Sequence, residues 1–200
     1  MMYQQMRFSV FVSHSHDDLV LANKIERSMA SLYLELFLAH KSIQSGDDWH
    51  ITLLDKIMKC DVLVALVTPN FYKSEYTGQE VGAAWGLGKI IFPICNNETP
   101  RGFIKKFQCF QYADDRMSEL TSSILASALR RFGNKKVDRL VDLLTASNSY
   151  DESGMWARLL SKETQLNEVH IAQIKHALIT NDQVSGSRNA RPYLNQILNQ

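Results

Sequence analysis

Seven residues, DVLVALV at positions 61–67, constrain this chain more than any others. After one acid, six apolar residues follow without the polar alternation of a strand that has one wet face. Pro69 and Asn70 then end the run. A run of this kind is a central strand covered on both faces, and strands buried that way belong to parallel sheets with crossover helices on either side. The flanks agree with that reading. FSVFV at 8–12, LELFL at 34–38, IIFPI at 90–94 and the stretch 107–112 are expected as further strands. Between them Leu19, Ala22, Ile25, Met29 and Leu32 recur at steps of three and four, the mark of a helix with one buried face. A second helix carries Leu53, Leu54, Ile57 and Met58, and a third covers 74–85, stopped by Gly86 and Gly88. Strand and helix alternate through five strands, so a parallel sheet sandwiched by helices is the economical architecture.

After Asp114 and Asp115 the pattern becomes helical, with segments near 118–132, 135–146, 167–179 and 188–198. The first is expected to complete the α/β domain, residues 1–132. The others form a small all-helical appendage, residues 133–200, with Val137, Leu140, Val141 and Leu144 as one apolar stripe and Ile171, Ile174 and Leu178 as another. Two hundred residues, 45% of them hydrophobic, suffice for one such domain and a small module. A net charge of +1, with neither half basic, provides no field for nucleic acid or for a membrane surface. No apolar run approaches the ~18 residues that span a bilayer. Three cysteines, Cys60, Cys95 and Cys109, form no CxxC pair and argue against a disulfide framework or a zinc knuckle. The expectation is a soluble, cytoplasmic protein.

Three constellations could carry chemistry. His14-Ser-His-Asp-Asp18 follows the first strand and suggests a metallo-hydrolase, since imidazoles and carboxylates can hold Zn²⁺ around an activated water. Leu19 stands where a further ligand would be needed. The competing reading is a polar turn in which Ser15 and Asp18 cap the first helix. In the second constellation, SEYTGQE at 74–80, Tyr76 and Glu80 stand four apart and share one helix face. Val81, Ala84 and Trp85 behind them make that helix largely buried, so Glu80 is either a partly desolvated acid or an ordinary solvated helix residue. Glu75 suits the first helical turn, where an acid complements the dipole. Third, Ser13, His14 and Ser15 end a strand at the carboxyl edge of the sheet, where open parallel sheets bind ligands. They could offer amides and hydroxyls to a pyrophosphate. No GxGxxG or GxxxxGK[ST] is present. Residues alone give a flavodoxin-like α/β domain with a candidate acid.

Taken in order, these pieces resemble the Toll/interleukin receptor (TIR) domain over roughly residues 7–131. FSVFVSHSHDD at 8–18 is similar to the family's first box, and DVLVALVTPNF at 61–71 to its central strand and exit turn. Ser74-x-Tyr76-x-x-x-Glu80 resembles the family's Ser-x-Trp-x-x-x-Glu helix, with Tyr76 in place of tryptophan. IIFPI at 90–94 resembles the fourth strand.

The resemblance to the bacterial, NAD-cleaving members implies a catalytic Glu80 that steadies positive charge on the nicotinamide-side ribose. It also implies Tyr76 beside the nicotinamide or ribose, Ser74 as a further substrate-binding residue, and Ser13, His14 and Ser15 towards the phosphates or second ribose. The loop at 41–47 corresponds to the family's BB loop, so Lys41 and Ile43 would help complete the cleft of a neighbouring subunit. NAD+ would be substrate rather than cofactor, and no metal is implied. Products would be nicotinamide with ADP-ribose or a cyclic isomer, in antiphage defence signalling. Partners would be a second TIR domain and a protein for the C-terminal helices, with no nucleic acid and no membrane. The alternatives are a non-catalytic scaffold assembling homotypically, a metallo-hydrolase using His14 and His16, and a nucleoside deoxyribosyltransferase-like enzyme using the same carboxylate.

Overall fold

The computed structural model describes residues 8–29, 34–38 and 49–199, and its contacts divide the chain into two units, Met1–Ala128 and Leu129–Gln200. In the first unit, β1 (Phe8–Ser13), β2 (Leu34–Leu38), β3 (Val62–Val67), β4 (Ile90–Cys95) and β5 (Phe110–Gln111) form one sheet. Its order is β2-β1-β3-β4-β5, and every pairing is parallel. This is the flavodoxin-like order, in which the winding reverses between β1 and β3. All six residues of β3 are buried, as the apolar run requires.

Helices cover both faces. Leu63, Ala65 and Val67 of β3 pack with Leu53 and Ile57 of α2 (Trp49–Lys59) and with Val81 and Ala84 of α3 (Thr77–Gly86). Alternation along the strand turns Val62, Val64 and Leu66 to the other face. There α1 (Leu19–Met29) buries Ala22, Ile25 and Met29, and α4 (Met117–Ala128) buries Leu120, Ile124 and Leu125. Each fully buried aliphatic side chain is worth about 1.5–3 kcal/mol. Helix α3 ends where Gly88 takes φ +64°, a left-handed position, while Lys89 N–H bonds the Ala84 carbonyl and sends the chain into β4.

Two sequence expectations are corrected at the β4–β5 edge. The last strand is two residues long rather than spanning 107–112. Cys95 points its backbone carbonyl at Tyr112 N–H on the β5 side, so Pro93, two residues earlier, would face the same way. Proline has no amide to offer there, and the ladder begins only at Ile94 opposite Phe110. Cys95 and Cys109 are also joined as a disulfide, with Cα atoms 5.9 Å apart, where the spacing of the cysteines argues against a disulfide framework. Parallel pairing brings them together across 14 residues, which no local spacing reveals. Cys60 remains a buried free thiol.

The second unit holds α5 (Lys136–Thr145), α6 (Tyr150–Leu160), α7 (Glu168–Thr180), α8 (Asp182–Ser185) and α9 (Arg191–Leu198). Val137, Leu140, Val141 and Leu144 are buried as their spacing requires. Of the other stripe Ile174 is buried, whereas Ile171 and Leu178 are half-buried. Helices α6 and α8 are additions to the expected set. Gly154 in α6 lowers helix propensity, but a Cβ there would sit 2.6 Å from Asn189 Cβ, so the close approach demands glycine. Trp156 is wholly buried in this unit. Among the described residues, no helix is long and apolar enough to cross a membrane.

Candidate functional site

Ser13 is the last residue of β1, paired with Ala65 of β3, and thus stands at the reversal of strand order. Its side chain is wholly buried, and its hydroxyl donates to Glu80 Oε2 at 2.5 Å. Glu80 arrives from the other direction. It lies in the first turn of α3, where its N–H bonds the Tyr76 carbonyl at 2.9 Å. Thr77 fixes the start of that helix by donating its hydroxyl to the Phe71 carbonyl at 2.5 Å, and Phe71 begins the short 3-10 turn Phe71–Lys73 after β3. The chain therefore spends a strand end and a helix start, 67 residues apart, on holding one carboxyl group in place.

Glu80 is 2% exposed, which removes the alternative of a solvated helix residue. Burial pushes its pKa up to about 7, and the Ser13 hydroxyl pulls it down less strongly. Among the described residues no cationic side chain pairs with it. Glu75, five residues earlier, is exposed and precedes the helix rather than lying in its first turn.

The other expected site residues fall nearby but are locally engaged. His14 is buried, and its ring Nδ1 meets the Ser15 carbonyl at 2.8 Å, which places a proton on Nδ1 because a carbonyl only accepts. Burial lowers the pKa of this histidine, with the Ser15 carbonyl and Asp18 opposing, and keeps the ring neutral. Ser15, also buried, caps a 3-10 turn, His16–Asp18, by accepting from Asp17 N–H at 3.4 Å. Ser74 accepts from Tyr76 N–H at 3.3 Å, and Tyr76 is half-buried as the residue before α3. Lys41 and Ile43 lie outside the described residues.

Asp18 does something its sequence position does not announce. Its Oδ2 accepts from the Thr68 hydroxyl at 2.6 Å and its Oδ1 from Asn70 Nδ2 at 3.2 Å. Thr68 in turn accepts from the N–H groups of Asn70 and Phe71. This network ties the exit turn of β1 to that of β3 beside Glu80, and it replaces the expected capping role of Asp18. His14 and Asp18 of the HxHxD motif are thus engaged in other bonds. Among the described residues, no three His, Cys, Asp or Glu side chains gather as a metal site.

The arrangement can do one kind of chemistry well. A carboxyl group that burial keeps close to its ionisation threshold near neutral pH, with the Ser13 hydroxyl donating to it, stabilises positive charge that develops on a bound group once it is ionised.

The family description "TIR domain" matches residues 10–124. Among solved structures, the chain is similar to the TIR domain of the Toll-related receptor TRR-2 from Hydra magnipapillata, at 14% identity and a TM-score of 0.49. That match covers 58% of this chain and 93% of the other. No curated protein matches it in sequence. With more than half of its length matched by the family description, the chain belongs to the TIR domain family.

Proposed function

We propose that this protein cleaves the nicotinamide–ribose bond of NAD+, with Glu80 as the catalytic carboxylate. The observation that carries the reading is the position of Glu80, buried beside the tip of β1 where an open parallel sheet binds ligands. Departure of nicotinamide leaves electron deficiency on the ribose, as in glycoside hydrolysis, and an ionised Glu80 stabilises that oxocarbenium character. Nicotinamide is already cationic in NAD+, so its departure needs no strong general acid. Tyr76 and Ser74, at the approach to α3, would contact the nicotinamide side, and His14 and Ser15 the phosphates. Lys41 and Ile43 would act on a neighbour's cleft. Attack by water gives ADP-ribose, whereas attack by the adenine or a ribose hydroxyl of the same molecule gives a cyclic isomer. The reading places the protein in the cytoplasm, where NAD+ is plentiful. Residues 133–200 then act as a module that contacts a partner protein.

One observation favours a second reading, a scaffold that works by assembly. Helix α2 carries Ile51, Leu54 and Met58 on one exposed face, an apolar ridge that a second TIR domain could cover.

The decisive assay is nicotinamide release from NAD+, with and without a crowding agent that drives assembly. The wild type releases nicotinamide, and Glu80→Gln loses about 10²–10³-fold in kcat. An equally active Glu80→Gln, or a wild type silent under both conditions, overturns the enzymatic reading and leaves the scaffold.

A further inference from the structure

We propose that Ser13 is a positioning residue for the cleavage reaction, its hydroxyl fixing one oxygen of Glu80 at the tip of β1 and favouring the ionised carboxylate. The inference rests on the enzymatic reading above and gives Ser13 a different task from contact with the substrate.

The geometry makes Ser13 suited to this task. Its backbone is held in the sheet by pairing with β3, and its neighbour Val12 pairs with Leu38 of β2 and Val64 of β3. The hydroxyl is one rotatable bond from that rigid strand. Glu80 has three such bonds, and fixing them costs conformational entropy that a 2.5 Å hydrogen bond to a rigid donor offsets in advance. The second restraint on Glu80 is the helix start, tied down through Thr77 and Phe71.

The direction of the hydrogen bond matters as much as its position. A donor aimed at a carboxylate stabilises the charged form, and Ser13 is the group that opposes burial at this site. The titratable groups on the same rim do not substitute for it. His14, on the β1 side, is held neutral by burial. Asp18 has both oxygens engaged by Thr68 and Asn70 from the β3 side. Among the described residues, burial raises the pKa of Glu80 and the Ser13 hydroxyl lowers it.

The test is the pH profile of kcat/KM for NAD+ cleavage in wild type, Ser13→Ala, Ser13→Cys and Ser13→Thr. Activity needs ionised Glu80, so the wild-type profile rises with pH through an inflection near 7. Ser13→Ala moves that inflection to higher pH by about one unit and lowers kcat about 10–100-fold, while KM changes little. Ser13→Cys, close in size but a poor donor, falls between alanine and serine. Ser13→Thr keeps the hydroxyl and restores the wild-type inflection. Carboxyl ¹³C NMR, with the Glu80 signal identified by its loss in Glu80→Gln, reads the same displacement without catalysis. An active wild type whose inflection and Glu80 titration stay unmoved in Ser13→Ala and Ser13→Cys overturns the positioning role alone. A Ser13→Thr variant as impaired as Ser13→Ala does the same. A wild type that cleaves no NAD+ overturns the enzymatic reading, and the positioning role falls with it.

Discussion

His170 in the C-terminal unit is 6% exposed, and both of its ring nitrogens are bonded. Nδ1 accepts the backbone N–H of Asn167 at 3.2 Å, and Nε2 meets Asp138 Oδ1 at 2.7 Å. Asn167 returns the bond, accepting His170 N–H on its side-chain oxygen at 2.9 Å, so the pair closes a capping box at the start of α7. Glu80 in the TIR unit is buried more deeply, yet among the described residues it faces a serine and no cation. Its pKa rises to about 7, whereas the polar atoms around His170 are matched to one another. A buried ionisable group that is fully partnered explains itself as structure. One left in conflict with its surroundings persists at a cost, and such conflicts gather at sites of chemistry. The two units teach this together, because one buries an ionisable side chain with both of its polar atoms partnered and the other buries a carboxyl group against the cost of its ionisation.

The largest effect that can break this contrast is thermodynamic. Below pH 4.5, Glu80 is protonated in both folded and unfolded chains and costs nothing. Between 4.5 and about 7 the unfolded chain releases its proton while the folded chain keeps it, so stability falls as pH rises, and the cost is complete above about 7. The gap between those two values corresponds to about 3 kcal/mol. Glu80→Gln removes the ionisation. Urea unfolding at pH 4 and pH 8 is therefore expected to show the variant gaining up to about 3 kcal/mol on the wild type between the two pH values. Equal pH dependence in the two proteins would mean that Glu80 is solvated after all.

His170→Ala sharpens the comparison from the other side. It deletes half of a capping box and a partly buried hydrogen bond to Asp138, at a cost of about 2 kcal/mol. Trp156 is the only one of the three tryptophans in the C-terminal unit and is wholly buried there, so its fluorescence follows this loss in denaturant. Nicotinamide release stays at the wild-type level under conditions where the variant is folded. A His170→Ala protein that is stable but fails to cleave NAD+ would make the histidine more than a structural cap.

The sheet was legible because its strands are written as apolar runs. DVLVALV reads as a strand covered on both faces, and the alternation of strand and helix implied a parallel sheet. Glu80 was legible as a candidate because four-residue spacing put it beneath Tyr76, but not its burial, since that depends on Ser13 meeting it from 67 residues away. What the residues hid was non-local in each case. Asp18 reads as a helix cap until Thr68 and Asn70 arrive from the end of β3. Cys95 and Cys109 read as unrelated thiols until β4 and β5 lie side by side. Helix α6 was obscured for a different reason. Ser153 and Gly154 weaken its intrinsic preference, yet Ser153 donates its hydroxyl to the Gln183 carbonyl at 2.7 Å, and Gly154 admits Asn189. Tertiary contact there outweighs local propensity.

Glu75 supplies the smallest expected effect, and it separates the site from its motif. Glu75 and Glu80 share a seven-residue stretch, carry the same functional group and differ by little more than a helical turn. Burial separates them, for Glu75 is exposed, and its backbone carbonyl accepts from Gln79 Nε2 at 2.9 Å. Glu75→Gln removes a solvated charge and is expected to alter stability by no more than about 0.5 kcal/mol. Nicotinamide release and its pH inflection should match the wild type. If Glu75→Gln instead lowers cleavage as deeply as Glu80→Gln, local negative charge rather than one desolvated carboxylate drives the reaction. The contrast between a conflicted Glu80 and a satisfied His170 would then have no bearing on catalysis. If only Glu80→Gln is silent, the difference between two glutamates five residues apart is the difference between water and the buried tip of β1.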